Sequence, residues 1–235
     1  ERIAARSSIG DWDINEAVSM ASVALPERAP HLLKVWLEQR WSEISRQQDV
    51  AKALRELLEN THLPDLPAVA QAAPTAYVRT LWPLLETFFA VGVRGHEIHV
   101  VRYHHTAGYL DPWGDERVRD CSEFLSSLRV AVEAWGELAP KELCAFVREH
   151  GQSELLLLQR LLAMGLAKAA PREPALVLEY LVADPRRLSL GNLMDTHRES
   201  RFLITQLVPH LDADGQARLE LSISSLDVYR NAPED

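Results

Sequence analysis

"DERVRDCSEFLSSLRVAVEAWG", Asp115 to Gly136, is the stretch whose reading decides the fold. Its apolar residues Val118, Cys121, Leu125, Leu128, Val132 and Trp135 recur at alternating intervals of three and four. That spacing lines them along one stripe of an α-helix, with Glu116, Arg119, Glu123, Arg129 and Glu133 falling elsewhere on its girth. Asp115 is suited to cap the first turn, and Gly136 to stop the last. The spacing predicts an amphipathic helix from Asp115 to Trp135.

The same period continues downstream. Pro140 opens "KELCAFVREH", which Gly151 closes. Ser153 is placed to cap "ELLLLQRLLAMGLAKA", a segment apolar around so much of its girth that it reads as a central, buried helix; only Gln159 and Arg160 interrupt its run. Pro174 sits in the first turn of "ALVLEYLVA", which ends before Asp184-Pro185. A short turn, "RRLSLG", leads to "THRESRFLITQLVPHL", with Phe202, Leu203, Gln206 and Leu207 on neighbouring turns. Asp212 or Asp214 begins a last helix through "ARLELSISSL".

Upstream, Asp13 or Asn15 caps a helix running to Leu25. "APHLLKVWLEQRWSEIS" gathers Leu33, Trp36, Leu37, Trp41 and Ile44 on one side, and "DVAKALRELLEN" gathers Val50, Leu54, Leu57 and Leu58. A proline-marked connector, "HLPDLPAVAQAAP", precedes "AYVRTLWPLLETFFAVG", in which Pro83 should kink the helix or mark its true start. The sum is roughly ten helices joined by short links, which makes neighbours antiparallel. The expected fold is all-α: an irregular α-solenoid of HEAT- or TPR-like helix pairs, or a two-lobed helical bundle. No fixed repeat recurs along the chain. The expected organisation is an N-terminal helical lobe over 1–92, a connector over 93–114 and a C-terminal helical lobe over 115–235.

Composition narrows the class. With 235 residues, 47% apolar and 25% charged, the chain can bury a substantial core. No apolar run reaches the ~18 residues of a membrane span. Cys121 and Cys144 sit within helical patterns, which fits buried thiols in a reducing, cytoplasmic setting rather than a disulfide framework. Glu1 is preceded by no methionine and opens no leader pattern, so we expect a processed chain or an internal piece of a longer one. A net charge of −9 argues against broad binding to phosphate backbones.

The connector holds the densest set of metal-capable side chains. "GHEIHVVRYHH", Gly95 to His105, carries His96, His99, His104 and His105. His96 and His99 can share one helical turn, and His104 adds a third donor, the number a catalytic zinc requires. However, "HEIH" lacks the spacing of a His-Glu-x-x-His site, and adjacent His104 and His105 point apart. A polar connector is the simpler reading, so no metal and no cofactor is expected; a metal-dependent or acid–base enzyme using His96 to His105 is the alternative. "DADG" at Asp212 opens like a calcium loop but lacks its later ligands, and helix capping accounts for it. The tryptophans read as filler between helices.

One basic cluster stands out. Arg186, Arg187, His197, Arg198 and Arg201 flank the turn "RRLSLGNLMDTHRESR", with Asp195 and Glu199 partly balancing them. Paired guanidiniums of this kind hold a carboxylate or phosphate, or bridge acidic faces within the fold. Arg186, Arg187, Arg198 and Arg201 are therefore the candidate partner-binding residues. An arginine-mediated nucleic-acid module is a further alternative.

From Pro174 to Ile223, the succession "ALVLEYLVADPRRLSLG", "SRFLITQLVPHL" and "ARLELSI" resembles a segment of the C-terminal helical-repeat regions of large bacterial STAND ATPases of the NACHT kind. In that family a P-loop switch ATPase precedes a long helical array. Some members serve anti-phage defence, the array recognising a viral protein and the ATPase driving oligomerisation. The resemblance covers about a quarter of the chain and carries no catalytic residue onto it. It implies a non-enzymatic recognition scaffold, binding a protein partner and belonging to a longer cytoplasmic bacterial chain.

Overall fold

Leucines at helical spacing dictate a run of helices, and a run of helices is what forms. The computed structural model describes residues 11–59, 66–90, 123–191 and 195–226. About 84% of them are helical and none lies in a strand, so the fold is all-α. The described α-helices are α1 (Asp11–Ala24), α2 (Ala29–Ile44), α3 (Val50–Glu59), α4 (Leu66–Ala72), α5 (Pro74–Ala90), α6 (Glu123–Leu138), α7 (Pro140–His150), α8 (Leu156–Ala169), α9 (Pro174–Ala183), α10 (Arg198–Leu207) and α11 (Ala213–Ser224). None of the described helices is long and apolar enough to cross a membrane.

The described residues fall into two compact units, with the division inside α6 between Ala134 and Trp135. In the first, α2 packs against α1 and α5, and α4 against α1 and α5. Its core includes Leu33, Leu37, Tyr77, Trp82 and Phe88, each 3% exposed or less. The Trp41 and Phe88 rings meet at a centroid distance of 4.9 Å. In α6, the predicted stripe residues Leu125, Leu128 and Val132 are fully buried. Tyr77 and Ser127 lie 2.6 Å apart at their hydroxyls; Ser127 donates its own proton to the Phe124 carbonyl, so Tyr77 is the donor between them.

In the second unit, each helix from α6 to α9 packs against the next and the next but one. The end of α6 meets α7 through Trp135 and Phe146, whose rings are 5.0 Å apart, and meets α8 at Gly165. Then α7 packs on α8 and α9, α8 on α9 and α10, and α9 on α10 and α11. The result is two rows, α7–α9–α11 and α6–α8–α10. Helix α8 lies at the centre, with 12 of its 14 residues buried, as its all-round apolar sequence predicts.

Several boundaries differ from the sequence reading. Gly136 does not stop α6, which runs on to Leu138; a Cβ at Gly136 would lie 2.1 Å from the Gly165 carbonyl oxygen, so its missing side chain lets two helices close up. The connector before α5 contains α4, a short helix that its prolines hid: Pro67 sits in the first turn, where a missing N–H costs nothing. α5 begins at Pro74, so Pro83 lies inside it rather than at its start. Ser153 accepts from the Leu155 N–H at 3.3 Å, and α8 begins one residue later, at Leu156. α1 begins at Asp11, ahead of Asp13 and Asn15. Pro140, Gly151, Pro174 and Asp212 act as the sequence predicts; Asp212 accepts from the Gly215 N–H at 2.8 Å.

Candidate functional site

The arginine turn is built where α9 ends. Asp184 leaves the helix in an extended conformation and its carboxylate accepts from the Arg186 N–H at 3.0 Å, starting a 3-10 turn over Pro185–Ser189. Successive residues on such a turn point about 120° apart, so the two arginines part company. Arg186 stays at the surface, forked between Asp184 (2.8 Å) and Glu154 (2.5 Å). Arg187 turns inward and is 4% exposed.

Inside, the Arg187 guanidinium donates to the Tyr180 carbonyl and to the Gly151 carbonyl, both at 2.6 Å, and lies 4.2 Å from the centre of the Tyr180 ring. Tyr180 is in the last turn of α9, and Gly151 caps the C-terminus of α7. Carbonyls there lack in-helix donors and carry the negative end of the helix dipole. One buried cation thus closes two helix ends. No carboxylate pairs with Arg187 among the described residues, and its Nε–H has no acceptor.

Around this point the two polar residues that interrupt the α8 sequence are both taken up. Gln159 donates to the Gly151 carbonyl at 2.9 Å and to the Ser153 carbonyl at 2.7 Å, while its own oxygen accepts from the Tyr180 hydroxyl at 2.8 Å. Arg160 donates to Glu199 of α10 at 2.6 Å, with side-chain exposures of 4% and 0%. Ser200 accepts from the Leu190 N–H at 2.6 Å and donates to the Arg187 carbonyl at 2.9 Å, which pins the start of α10 to the turn.

The other members of the cluster lie farther out. Arg201 is exposed and pairs with Asp195. Arg198 is the half-buried first residue of α10. His197 Nδ1 is 3.0 Å from the Leu188 carbonyl. The four candidate arginines therefore do not share one open basic face: one is sealed in the fold and two are matched to surface carboxylates. Glu199, expected to balance the arginines of the turn, serves Arg160 instead.

A cavity of about 190 Å³ opens beside Arg187. Val147 and Cys144 of α7, Leu166 of α8, and Leu176 and Tyr180 of α9 supply its wall. Burial, reinforced by the negative charge of Glu173 and opposed by Arg148, pushes the Cys144 thiol up to about 11 from its usual 9.0. It therefore stays protonated at neutral pH and is a poor nucleophile.

His96, His99, His104 and Cys121, and with them the whole 93–114 connector, lie outside the described residues. Among the described residues, no three His, Cys, Asp or Glu side chains gather as a metal site would require. Gln159, Arg160 and Tyr180 were not predicted as site residues; the signal for the first two was a polar pair inside a helix whose apolar residues surround its axis. No family model, curated protein or solved structure matches the chain.

Proposed function

We propose that the protein is a non-enzymatic helical scaffold that recognises another protein, in the manner of a helical-repeat array. The observation that supports this reading most is the order of packing in the second unit, where every helix from α6 to α9 touches the next and the next but one. Helix pairs stacked in chain order make a surface that can change residue by residue while the buried seams stay fixed. The inward use of Gln159, Arg160, Arg187 and Glu199 serves the same end, because it braces α7 to α10 against one another. The resemblance of Pro174 to Ile223 to STAND-type arrays points to a parent chain carrying a switch ATPase, with antiviral sensing as the role.

Two experiments test this reading. The parent gene is read upstream of Glu1: a Gly-x-x-x-x-Gly-Lys loop followed by a helical linker supports the STAND assignment, and a different catalytic domain removes it. Partners are cross-linked in the native cell to the wild-type chain and to an Arg186→Glu/Arg201→Glu variant of unchanged circular dichroism. Loss of one specific protein from the variant supports recognition through the turn. Identical partners in both assign recognition to another surface, and stoichiometric zinc with catalytic turnover in chelator-free protein overturns the non-enzymatic reading.

A further inference from the structure

The cavity between α7 and α9 has both a size and, in its wall, a guanidinium charge that no carboxylate answers among the described residues. A void of about 150 Å³ in an apolar core accepts a benzene ring, so about 190 Å³ admits one aromatic or branched aliphatic group. Its inner wall of Val147, Leu166 and Leu176 suits such a group. The polar lining is weighted towards donors. Arg187, 4% exposed, gives one hydrogen bond from each Nη to a helix-end carbonyl, and its positive charge meets no carboxylate among the described residues. Arg148 stands at the rim with 70% of its side chain exposed, and Gln152 lies beside it. The one carboxylate in the lining, Glu179, is 3.9 Å from Arg148 and 60% exposed, too open and too distant to neutralise it.

We propose that this cavity binds an apolar group bearing a carboxylate: the ring or branched chain fills the α7–α8–α9 wall, and the carboxylate faces the Arg187 and Arg148 guanidiniums. Two sources share that chemistry, a free small acid and the C-terminal residue of a peptide. The free-acid form stands apart from the recognition reading, whereas the peptide form rests on it. Charge-assisted hydrogen bonds from guanidinium to carboxylate are about twice as strong as neutral ones, so the acid should outbind its uncharged isostere.

The test is calorimetric titration of the full chain with four probes: 3-phenylpropionate, 3-phenylpropionamide, Gly-Gly-Phe, and the C-terminal amide of that tripeptide. The expected result is binding of 3-phenylpropionate, with the amide weaker by roughly tenfold, a difference of about 1.4 kcal/mol. Ala183 lies exposed in the lining, so Ala183→Trp fills the cavity from its mouth without disturbing the core and should abolish binding. Arg148→Gln should weaken the acid several-fold and leave the amide unchanged. Binding of Gly-Gly-Phe with the same sensitivities ties the cavity to peptide recognition; binding of the free acid alone keeps the cavity and detaches it from that reading. The proposal is overturned if natively folded protein binds neither acid, if acid and amide bind alike, or if Ala183→Trp leaves binding intact.

Discussion

Arg160 and Glu199, 39 residues apart in the chain, join the second turn of α8 to the first turn of α10 through a 2.6 Å ion pair that is almost wholly sealed from water. Glu199 Oε2 has no hydrogen-bond partner, so the pair holds a charge that Arg160 alone answers. Breaking such a pair from one side costs about 3–5 kcal/mol, while replacing both members by apolar residues of similar volume is often neutral or better. Arg160→Met should therefore destabilise the second unit strongly, and Arg160→Met/Glu199→Met should recover most of the loss. Guanidinium unfolding of both single variants and the double variant reads this directly. Additive losses would show that the pair is not coupled.

Gly136 carries the second prediction. Alanine is favoured over glycine in a helix interior by about 0.8–1 kcal/mol, so helix propensity alone makes Gly136→Ala stabilising. Its Cβ would lie 2.1 Å from the Gly165 carbonyl oxygen and 3.1 Å from Lys168 Cβ, and backbone cannot yield to it cheaply. The clash should win, with a net loss of about 1–3 kcal/mol and a lower Tm. A rise in Tm would mean that α6 and α8 are not held this closely.

The third prediction concerns the Tyr180 hydroxyl, which donates to Gln159 Oε1 at 2.8 Å. Removing it with Tyr180→Phe leaves a buried amide oxygen short of a donor, which costs about 1–3 kcal/mol. Gln159→Leu removes more, because it also frees the Ser153 carbonyl and takes one of two donors from the Gly151 carbonyl. The order of stability in urea should be wild type, Tyr180→Phe, then Gln159→Leu. The double variant should lie close to Gln159→Leu alone, since the two share one bond.

What the sequence makes legible here is whatever repeats locally. The stripe Leu125, Leu128, Val132 and Trp135 is buried as its spacing requires, and Pro140, Pro174 and Asp212 mark helix starts through chemistry confined to one turn. α4 escaped because seven residues are too few to show a period and its flanking prolines imitate a loop. Gly136 looks like a terminator on its own helix; only the distant Gly165 reveals it as a contact. The arginine turn was visible as a cluster, but its division between surface and interior depends on carbonyls of Gly151 and Tyr180 that no local pattern predicts. Gln159 and Arg160 do carry a local signal: polar side chains inside an all-round apolar helix must find partners when that helix is buried.

Cys144 yields a pH prediction whose sign follows from its environment. Burial, with Glu173, holds the folded thiol's proton up to about 11, whereas an unfolded thiol releases it near 9.0. Below the lower value both states are protonated and this group leaves stability independent of pH. Between the two values the unfolded chain binds fewer protons than the folded one, so stability falls as pH rises, and the fall ends above the folded value. Cys144→Ala should flatten the stability profile from pH 9 to 11, beyond any pH-independent packing loss, and leave its slope at pH 7 unchanged. In a Cys121→Ser background, alkylation of Cys144 by iodoacetamide should be slow at pH 8 and rise with a midpoint near 11. A midpoint near 9 would place the thiol in water, and the wall of the α7–α9 cavity would then be more open than its 6% exposure of Cys144 implies.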